Sequence, residues 1–387
     1  MNTIGNKFRV SIFGESHGSY VGVSIDGVLP GLPLSPEDFE EDLARRRSGA
    51  PGTTARSEKD VPEIVSGLYE GRTTGAPLTL LFRNEDAHPE DYQNLPPRPG
   101  HADHTARIKF AGFNDPRGGG AFSGRMTVAV VAAGVVAKKL LHFLRIHAGL
   151  TEIGGRTDPA EWPAALAAAQ AEGDSLGGVV ECQVEGVPAG LGEPFWDSVE
   201  SCLAHAVFAI PGVRGIEFGD GFAAARMKGS EHNDAFPEEE GGHCCHGDGE
   251  GEGGHCCHGD DDHHHCYHGE AGDEHHCCHH GDDPAEGEEG HHCCHGGDET
   301  DHCCHHGDGE GHHCCHRHGP QPPLTNHAGG INGGITNGNP LVFRVAFKPT
   351  SSIPAAGIPG RHDVCFALRT PVIVEAMAAI VLLDLAL

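Results

Sequence analysis

Long hydrophobic runs are scarce in this 387-residue sequence. The longest apolar stretches are 127–136 and 371–387. The first falls short of the roughly 20 apolar residues a bilayer span needs, and the second carries Glu375 and Asp384. Both read as buried helices, and no membrane partner is expected. Basic residues are scarce too: 26 Lys and Arg stand against 56 Asp and Glu, a formal charge of -30. Such a balance argues against nucleic acid as the main partner. No Gly-Lys pair exists, which excludes a Walker A loop, and no dinucleotide fingerprint follows a strand. The N-terminus, Met1-Asn2-Thr3-Ile4-Gly5-Asn6-Lys7, is polar and lacks the apolar core of a secretory signal. Outside one segment the cysteines are Cys182, Cys202 and Cys365 alone. That usage suits a reduced, cytoplasmic protein and not a disulfide framework.

The exceptional segment is 238–323. Within 238–318 lie 22 acidic residues, 13 of the 16 Cys and 22 of the 32 His, with Arg317 the single Lys or Arg. Seven copies of His-Cys-(Cys/Tyr)-His punctuate it, the first being His243-Cys244-Cys245-His246. Gly, Asp and Glu fill the gaps, so there is too little apolar surface for a packed core. Thiolate and imidazole are good ligands for zinc, nickel and copper, but adjacent cysteines are not the C-x₂₋₄-C spacing of structural zinc. The tract reads equally as a flexible multi-site metal binder, with transition-metal ions as partners, or as a low-complexity expansion with adventitious affinity. We take it as an insertion between a domain formed by 1–237 and 324–387.

Elsewhere strands and helices alternate, which places the chain in the mixed α+β class. Phe8-Arg9-Val10-Ser11-Ile12 is strand-like, as are 21–28, 178–184, 215–218 and 341–347. Ser35-Pro36-Glu37-Asp38 has the makings of a helix start, and Arg45-Arg46-Arg47 followed by Gly49 of its end. Helices are also expected over 125–143, 159–172 and about 194–208. Val23-Ser24-Ile25-Asp26-Gly27-Val28-Leu29-Pro30-Gly31-Leu32 resembles Val180-Glu181-Cys182-Gln183-Val184-Glu185-Gly186-Val187-Pro188-Ala189-Gly190-Leu191. Each is an alternating strand, a Gly-Val turn, a Pro/Gly corner and then a helix. This is an internal duplication with pseudo-symmetric halves.

The chemistry is concentrated in a few motifs. Phe13-Gly14-Glu15-Ser16-His17-Gly18 fits a G-x-S-x-G elbow with Ser16 as nucleophile, and equally a loop offering His17 as an acid or base. Arg98-Pro99-Gly100-His101-Ala102-Asp103-His104 adds a second imidazole. Arg117-Gly118-Gly119-Gly120-Ala121-Phe122-Ser123-Gly124-Arg125 is a Gly-rich loop entering a helix, a form that exposes backbone N–H groups to phosphate. Asn326-His327-Ala328-Gly329-Gly330-Ile331-Asn332-Gly333-Gly334, Lys348-Pro349-Thr350-Ser351-Ser352 and Gly360-Arg361-His362-Asp363 complete the set.

In that order these motifs resemble the chorismate synthase family, and the likeness covers nearly all of the chain outside the tract. It implies a β-α-β sandwich, a homotetramer, and the anti 1,4-elimination of phosphate from 5-enolpyruvylshikimate 3-phosphate. Reduced FMN is the implied cofactor, with NADPH as a possible reductant. Carried over by motif, His17 is the acid that assists the departing phosphate. His101 is the partner of the reduced flavin, and Asp363 is the base. Arg46 and Arg47 are implied to hold substrate, with Arg125 between substrate and cofactor. Phe122, Ser123, Pro211, Gly212, Gly333, Lys348, Pro349, Thr350, Ser351, Ser352 and Arg361 are implied flavin contacts. One departure is Ala121, where many members have Arg, and it removes a polar side chain beside the flavin loop. The rival readings are metal storage through the tract and a hydrolase using Ser16.

Overall fold

The computed structural model describes residues 2–92, 96–237, 321–358 and 362–387. Arg361 and the tract residues His243, Cys244, Cys245 and His246 lie outside the described residues. The chain on either side of 237–321 packs as one unit.

The chain opens with β1 (Thr3–Ile4), β2 (Arg9–Gly14) and β3 (Tyr20–Asp26), then α1 (Glu40–Arg46) and β4 (Glu63–Ser66). The short pair β5 (Leu68–Tyr69) and β6 (Arg72–Thr73) precedes β7 (Leu78–Arg83), α2 (Asp103–Lys109) and α3 (Thr127–Leu140). The second half runs β8 (Arg145–Ile153), α4 (Trp162–Ala171), β9 (Gly178–Glu185), α5 (Val199–Val207), β10 (Val213–Phe218) and α6 (Gly229–His232). Beyond the tract come the small hairpin β11 (Ile331–Asn332) and β12 (Ile335–Thr336), then β13 (Leu341–Phe347) and α7 (Pro371–Ala386).

Two antiparallel sheets result, in the orders β1-β2-β3-β7-β4 and β10-β13-β9-β8. Period-two burial sets their inner faces: Leu78, Leu80 and Phe82 from β7, and Leu341, Phe343, Val345 and Phe347 from β13. Each such side chain contributes about 1.5–3 kcal/mol when fully buried. Between the sheets lie α3 and α7, packed on each other, with α3 against β3 and β7 and α7 against β8 and β9. Both helices are apolar all round, the pattern of a helix enclosed on every side. Gly134 of α3 makes the crossing close: a methyl there would stand 2.3 Å from the Cβ of Ala376.

The repeat expected from sequence is a repeat of topology. Each half has a hairpin, β2–β3 or β8–β9, followed by a helix, α1 or α5. A third strand, β7 or β13, then pairs with the second, and a central helix, α3 or α7, closes the half. The helix expected from about 194 begins later, at Val199. Phe195 adopts a left-handed φ of +69°, and the Ser198 side chain caps α5 instead.

The cations closing α1 part company, because successive helical residues point about 100° apart. Arg45 donates twice to the buried Glu375 carboxylate, at 2.6 and 2.8 Å. Lys138 Nζ and the Ala148 N–H complete that carboxylate's partners at 2.7 and 2.9 Å. Arg45 therefore ties α1 to α7, while Arg46 and Arg47 face elsewhere. Among the described residues no helix is long and apolar enough to cross a membrane.

Candidate active site

The loops that lead into α3 and α7 occupy equivalent places in the two halves, and both line a cavity of about 520 Å³. The α3 loop contains Gly118, Gly119 and Gly120, with φ of +58°, +85° and +53°. Three consecutive left-handed residues demand glycine on backbone grounds. Contacts demand it again. A Cβ on Gly118 would lie 2.2 Å from Cε1 of His17, and one on Gly119 would lie 3.0 Å from Cε1 of His101. The triplet is thus the floor against which two imidazoles stand.

His17 comes from the turn joining β2 to β3 and is 8 % exposed. The Tyr92 ring meets it edge-on, with centroids 4.9 Å apart. Ser16 beside it is fully buried and its hydroxyl accepts from Arg56 Nη1 at 2.8 Å. A cation on that oxygen is the opposite of the general base a nucleophilic serine needs. The segment is also a strand-to-strand turn, whereas an elbow joins strand to helix. The hydrolase alternative fails on both counts.

His101 has a defined tautomer. Its Nδ1 lies 2.6 Å from Asp103 Oδ1 and 3.1 Å from Arg98 Nη2. The shorter contact is to a carboxylate, which only accepts, so Nδ1 carries hydrogen toward Asp103, Arg98 Nη2 is spent on the Asp103 carboxylate, and Nε2 is left for the cavity. Burial pushes the Asp103 carboxyl up, but hydrogen bonds from Arg98 and His101 outweigh it and hold it well below the usual range. Arg98 also donates to Ser352 Oγ at 3.2 Å, which links the His101 motif to the 348–352 loop.

Seven permanent cations line the cavity: Arg46, Arg47, Arg56, Arg98, Arg125, Lys348 and Arg369. Among the described residues three carboxylates face them, Glu58, Asp60 and Asp363, and Asp103 pairs Arg98 from behind, leaving a surplus of three positive charges. Asp60 bridges Arg46, at 2.6 Å, and Arg125 from a left-handed φ of +54°. Burial opposes its ionisation, and the two guanidinium groups overcome that and lower its pKa. Burial pushes the Arg46 pKa down to about 10, against the pull of Asp60. Lys348 is also lowered, chiefly by burial. Such a site favours a polyanionic ligand.

Asp363 is 8 % exposed and receives Arg369 at 2.8 and 3.2 Å, with the Thr54 N–H at 2.9 Å. Phe122, Ser123, Pro211, Gly212, Lys348, Pro349, Thr350, Ser351 and Ser352 all line the cavity, as the motifs led us to expect. Gly333 does not: it forms the turn of the β11–β12 hairpin. Ala121 is present at the rim without a polar group. Sequence reasoning did not single out Arg56, Glu58, Asp60, Tyr92 or Arg369. Thr54-Ala55-Arg56-Ser57-Glu58-Lys59-Asp60 alternates polar groups, a signal too common in exposed loops to pick out. Among the described residues no group of three or more His, Cys, Asp or Glu suits a metal ion.

The sequence pattern described as Chorismate synthase matches residues 8–255 and 294–387. A chorismate synthase of Chitinophaga pinensis is 46% identical over 401 residues, covering 99% of this chain and 96% of that protein. One of Opitutus terrae is 38% identical, covering 99% of this chain and 96% of its own length. A solved structure titled Crystal Structure of Chorismate Synthase superposes with a TM-score of 0.63 at 25% identity, covering 99% of this chain and 92% of the other. The glycine floor, the two imidazoles and the cationic cavity thus sit in a chain that belongs to the chorismate synthase family, the lyases that convert 5-enolpyruvylshikimate 3-phosphate to chorismate in aromatic amino-acid biosynthesis.

Proposed function

We propose that the cavity holds 5-enolpyruvylshikimate 3-phosphate beside reduced FMN, with His17, His101 and Asp363 as the reacting side chains. The observation that carries this assignment is their convergence, from three distant motifs, on one cavity with three surplus positive charges among the described residues. The residues present suit a flavin mononucleotide. Phe208, Ile210, Pro211, Val213 and Phe366 supply an apolar wall for a flat ring, and Lys348 supplies a cation for a phosphate. Thr350 Oγ1 and the Nε atoms of Arg46 and Arg47 are buried with no hydrogen-bond partner among the described residues. Buried polar atoms of this kind need a ligand's acceptors or water. Phe122, Ser123, Pro211, Gly212 and the 348–352 loop would hold the cofactor, and Arg361 would join them.

Reduced FMN, when bound, supplies transient electron density to the reacting carbons and regains it, so the elimination has no net redox change. The protein's residues do the rest. Arg46, Arg47 and Arg125 hold the substrate's carboxylates and phosphate through their remaining N–H groups. His17, in contact with the glycine floor, gives a proton to the departing phosphate. His101, with Nδ1–H committed to Asp103, presents the Nε2 lone pair to the cavity, where it can take up a proton and return it. Asp363 takes up the proton released from the ring. Among the described residues, Arg369 and the Thr54 N–H hold its carboxylate in place through three hydrogen bonds.

We further propose that 1–237 and 324–387 are the catalytic domain, that 238–323 is dispensable to it, and that the enzyme works as a homotetramer. Packing of the flanking segments as one unit supports the division. The full chain with reduced FMN, without oxygen, should release phosphate from enolpyruvylshikimate phosphate. His17→Ala and Asp363→Ala should each slow release while still binding FMN. Unaltered turnover in either variant would remove that residue from the mechanism, and light scattering checks the assembly.

A further inference from the structure

The β2–β3 turn that presents His17 is closed by one backbone bond, Gly18 N–H to the Glu15 carbonyl at 3.1 Å. Arg56 Nη2 donates to the Ser16 carbonyl at 3.0 Å, and the remaining carbonyl capacity of the turn is met by a side chain. Asn84, the residue after β7, supplies it. Its Nδ2 donates to the carbonyl of Glu15 at 3.0 Å and to that of Gly18 at 2.7 Å, spanning the turn on both sides of His17. Its Oδ1 accepts from Arg125 Nε at 2.8 Å. Its backbone N–H donates to the Ser19 carbonyl at 3.1 Å, which fixes the amide's own position. The orientation of the amide follows without ambiguity. Carbonyls only accept and a guanidinium only donates, so a flipped Asn84 would lose all three side-chain bonds. Neither an apolar side chain nor a carboxylate can replace it. A carboxylate could keep Arg125 but would turn oxygen toward the two carbonyls.

We infer that Asn84 is a positioning residue for the elimination, setting the leaving-group acid His17 and the anion-holding Arg125 at a fixed separation through one amide. This rests on the roles proposed above for His17 and Arg125. Both lie on the cavity, but they belong to different elements, a hairpin turn and the loop entering α3. Asp60 anchors Arg125 to Arg46; Ser16 N–H ties the turn to the Gly120 carbonyl at 3.2 Å, and the Asn84 amide joins the turn to the Arg125 side chain itself.

The test uses the full chain and compares Asn84→Asp, Asn84→Ala and His17→Ala with the combination of Asn84→Asp and His17→Ala. Asn84→Asp retains the acceptor for Arg125 and loses the donors to the turn. Its kcat should fall about 10–100-fold, as misplacing a reacting group by about 1 Å does, with KM for enolpyruvylshikimate phosphate little changed. Asn84→Ala loses both, so KM should rise as well as kcat fall. This split is not what a merely destabilised fold would give. In the His17→Ala background, Asn84→Asp should add little, because it acts through the imidazole. A crystal structure of Asn84→Asp should show His17 moved from its contact with Gly118, a readout independent of turnover. The inference is overturned if kcat and KM of Asn84→Asp match the wild type, if its cost is undiminished in the His17→Ala background, or if His17 is unmoved. Full activity of His17→Ala with a displaced turn in Asn84→Asp would instead overturn the role of His17 and leave the positioning contact standing.

Discussion

Gly118→Ala is the sharpest single perturbation this site offers. The added Cβ would meet His17 Cε1 at 2.2 Å and Nδ1 at 2.3 Å, with Ser16 Oγ at 3.1 Å. Ordinary contact begins at 3.4 Å, so the imidazole must retreat by about 1.2 Å. A shift of that size in a reacting group costs on the order of 100-fold in rate. The left-handed φ of +58° adds about 1–2 kcal/mol of backbone strain for a residue with a Cβ. In a chain of this size that strain lowers Tm by only about 1–3 °C. Gly119→Ala provides the internal comparison. Its Cβ would meet His101 Cε1 at 3.0 Å and Arg98 Nη2 at 3.4 Å, so the neighbours need give only a few tenths of an ångström. The expected order is therefore a large loss of kcat for Gly118→Ala and a smaller one for Gly119→Ala, at similar Tm. Anaerobic phosphate release gives kcat, flavin fluorescence gives FMN binding, and calorimetry gives Tm. A Gly118→Ala enzyme with kcat within about three-fold of wild type, under 1 kcal/mol, would refute the view that His17 stands on this floor.

Asp103→Asn removes the charge that fixes the His101 tautomer and pairs with Arg98. Charged hydrogen bonds of this kind contribute about 1.5–3 kcal/mol, so kcat should drop roughly 10–100-fold, and a near-normal kcat would sever His101 from the mechanism. Asp60 is held below its ordinary pKa in the folded state, despite burial, by Arg46 and Arg125. Between that lowered value and the unfolded value near about 3.9, the unfolded chain binds more protons, so stability rises with pH there. The contribution is complete above about pH 4–5 and is lost as pH falls through the folded value. Denaturant midpoints at neutral pH and near pH 3 should show this loss, and Asp60→Asn should shrink it. Removing residues 238–318 should leave kcat within about two-fold, since long insertions between tied ends cost a fold little. A collapse of turnover in folded, FMN-bound deletion protein would give the tract a catalytic role.

Much of the architecture was legible because its signals are local. The β13 segment 341–347 alternates apolar and polar residues, and its strand has the expected bounds. The apolar stretch 371–387 is a buried helix because it has no polar stripe, its one buried carboxylate, Glu375, being paired by Arg45 and Lys138. The strands β4 and β7 were not singled out, and β8 was not either. Leu78-Thr79-Leu80-Leu81-Phe82-Arg83 is short enough to suit a strand or a buried helix turn, and only pairing with β3 and β4 decides between them. Among the described residues the cation paired with Asp363 is Arg369, which the chain order does not suggest, because the turn before α7 brings residue 369 back over residue 363.

The sequence by itself determined the family and the repeat of strand, turn and helix, and it carries the motifs from which the reacting side chains are proposed. Each of these is written within a short motif, where spacing and residue type suffice. Tertiary structure alone decided which charge meets which. Arg45, Arg46 and Arg47 look alike in the chain, yet one joins two helices while the others face the cavity. Asp363 receives an N–H from Thr54, 309 residues away, and the amide of Asn84 joins a hairpin turn to the loop before α3. Charge pairing depends on distance in space and on burial, and chain order specifies neither until the two sheets close around their helices.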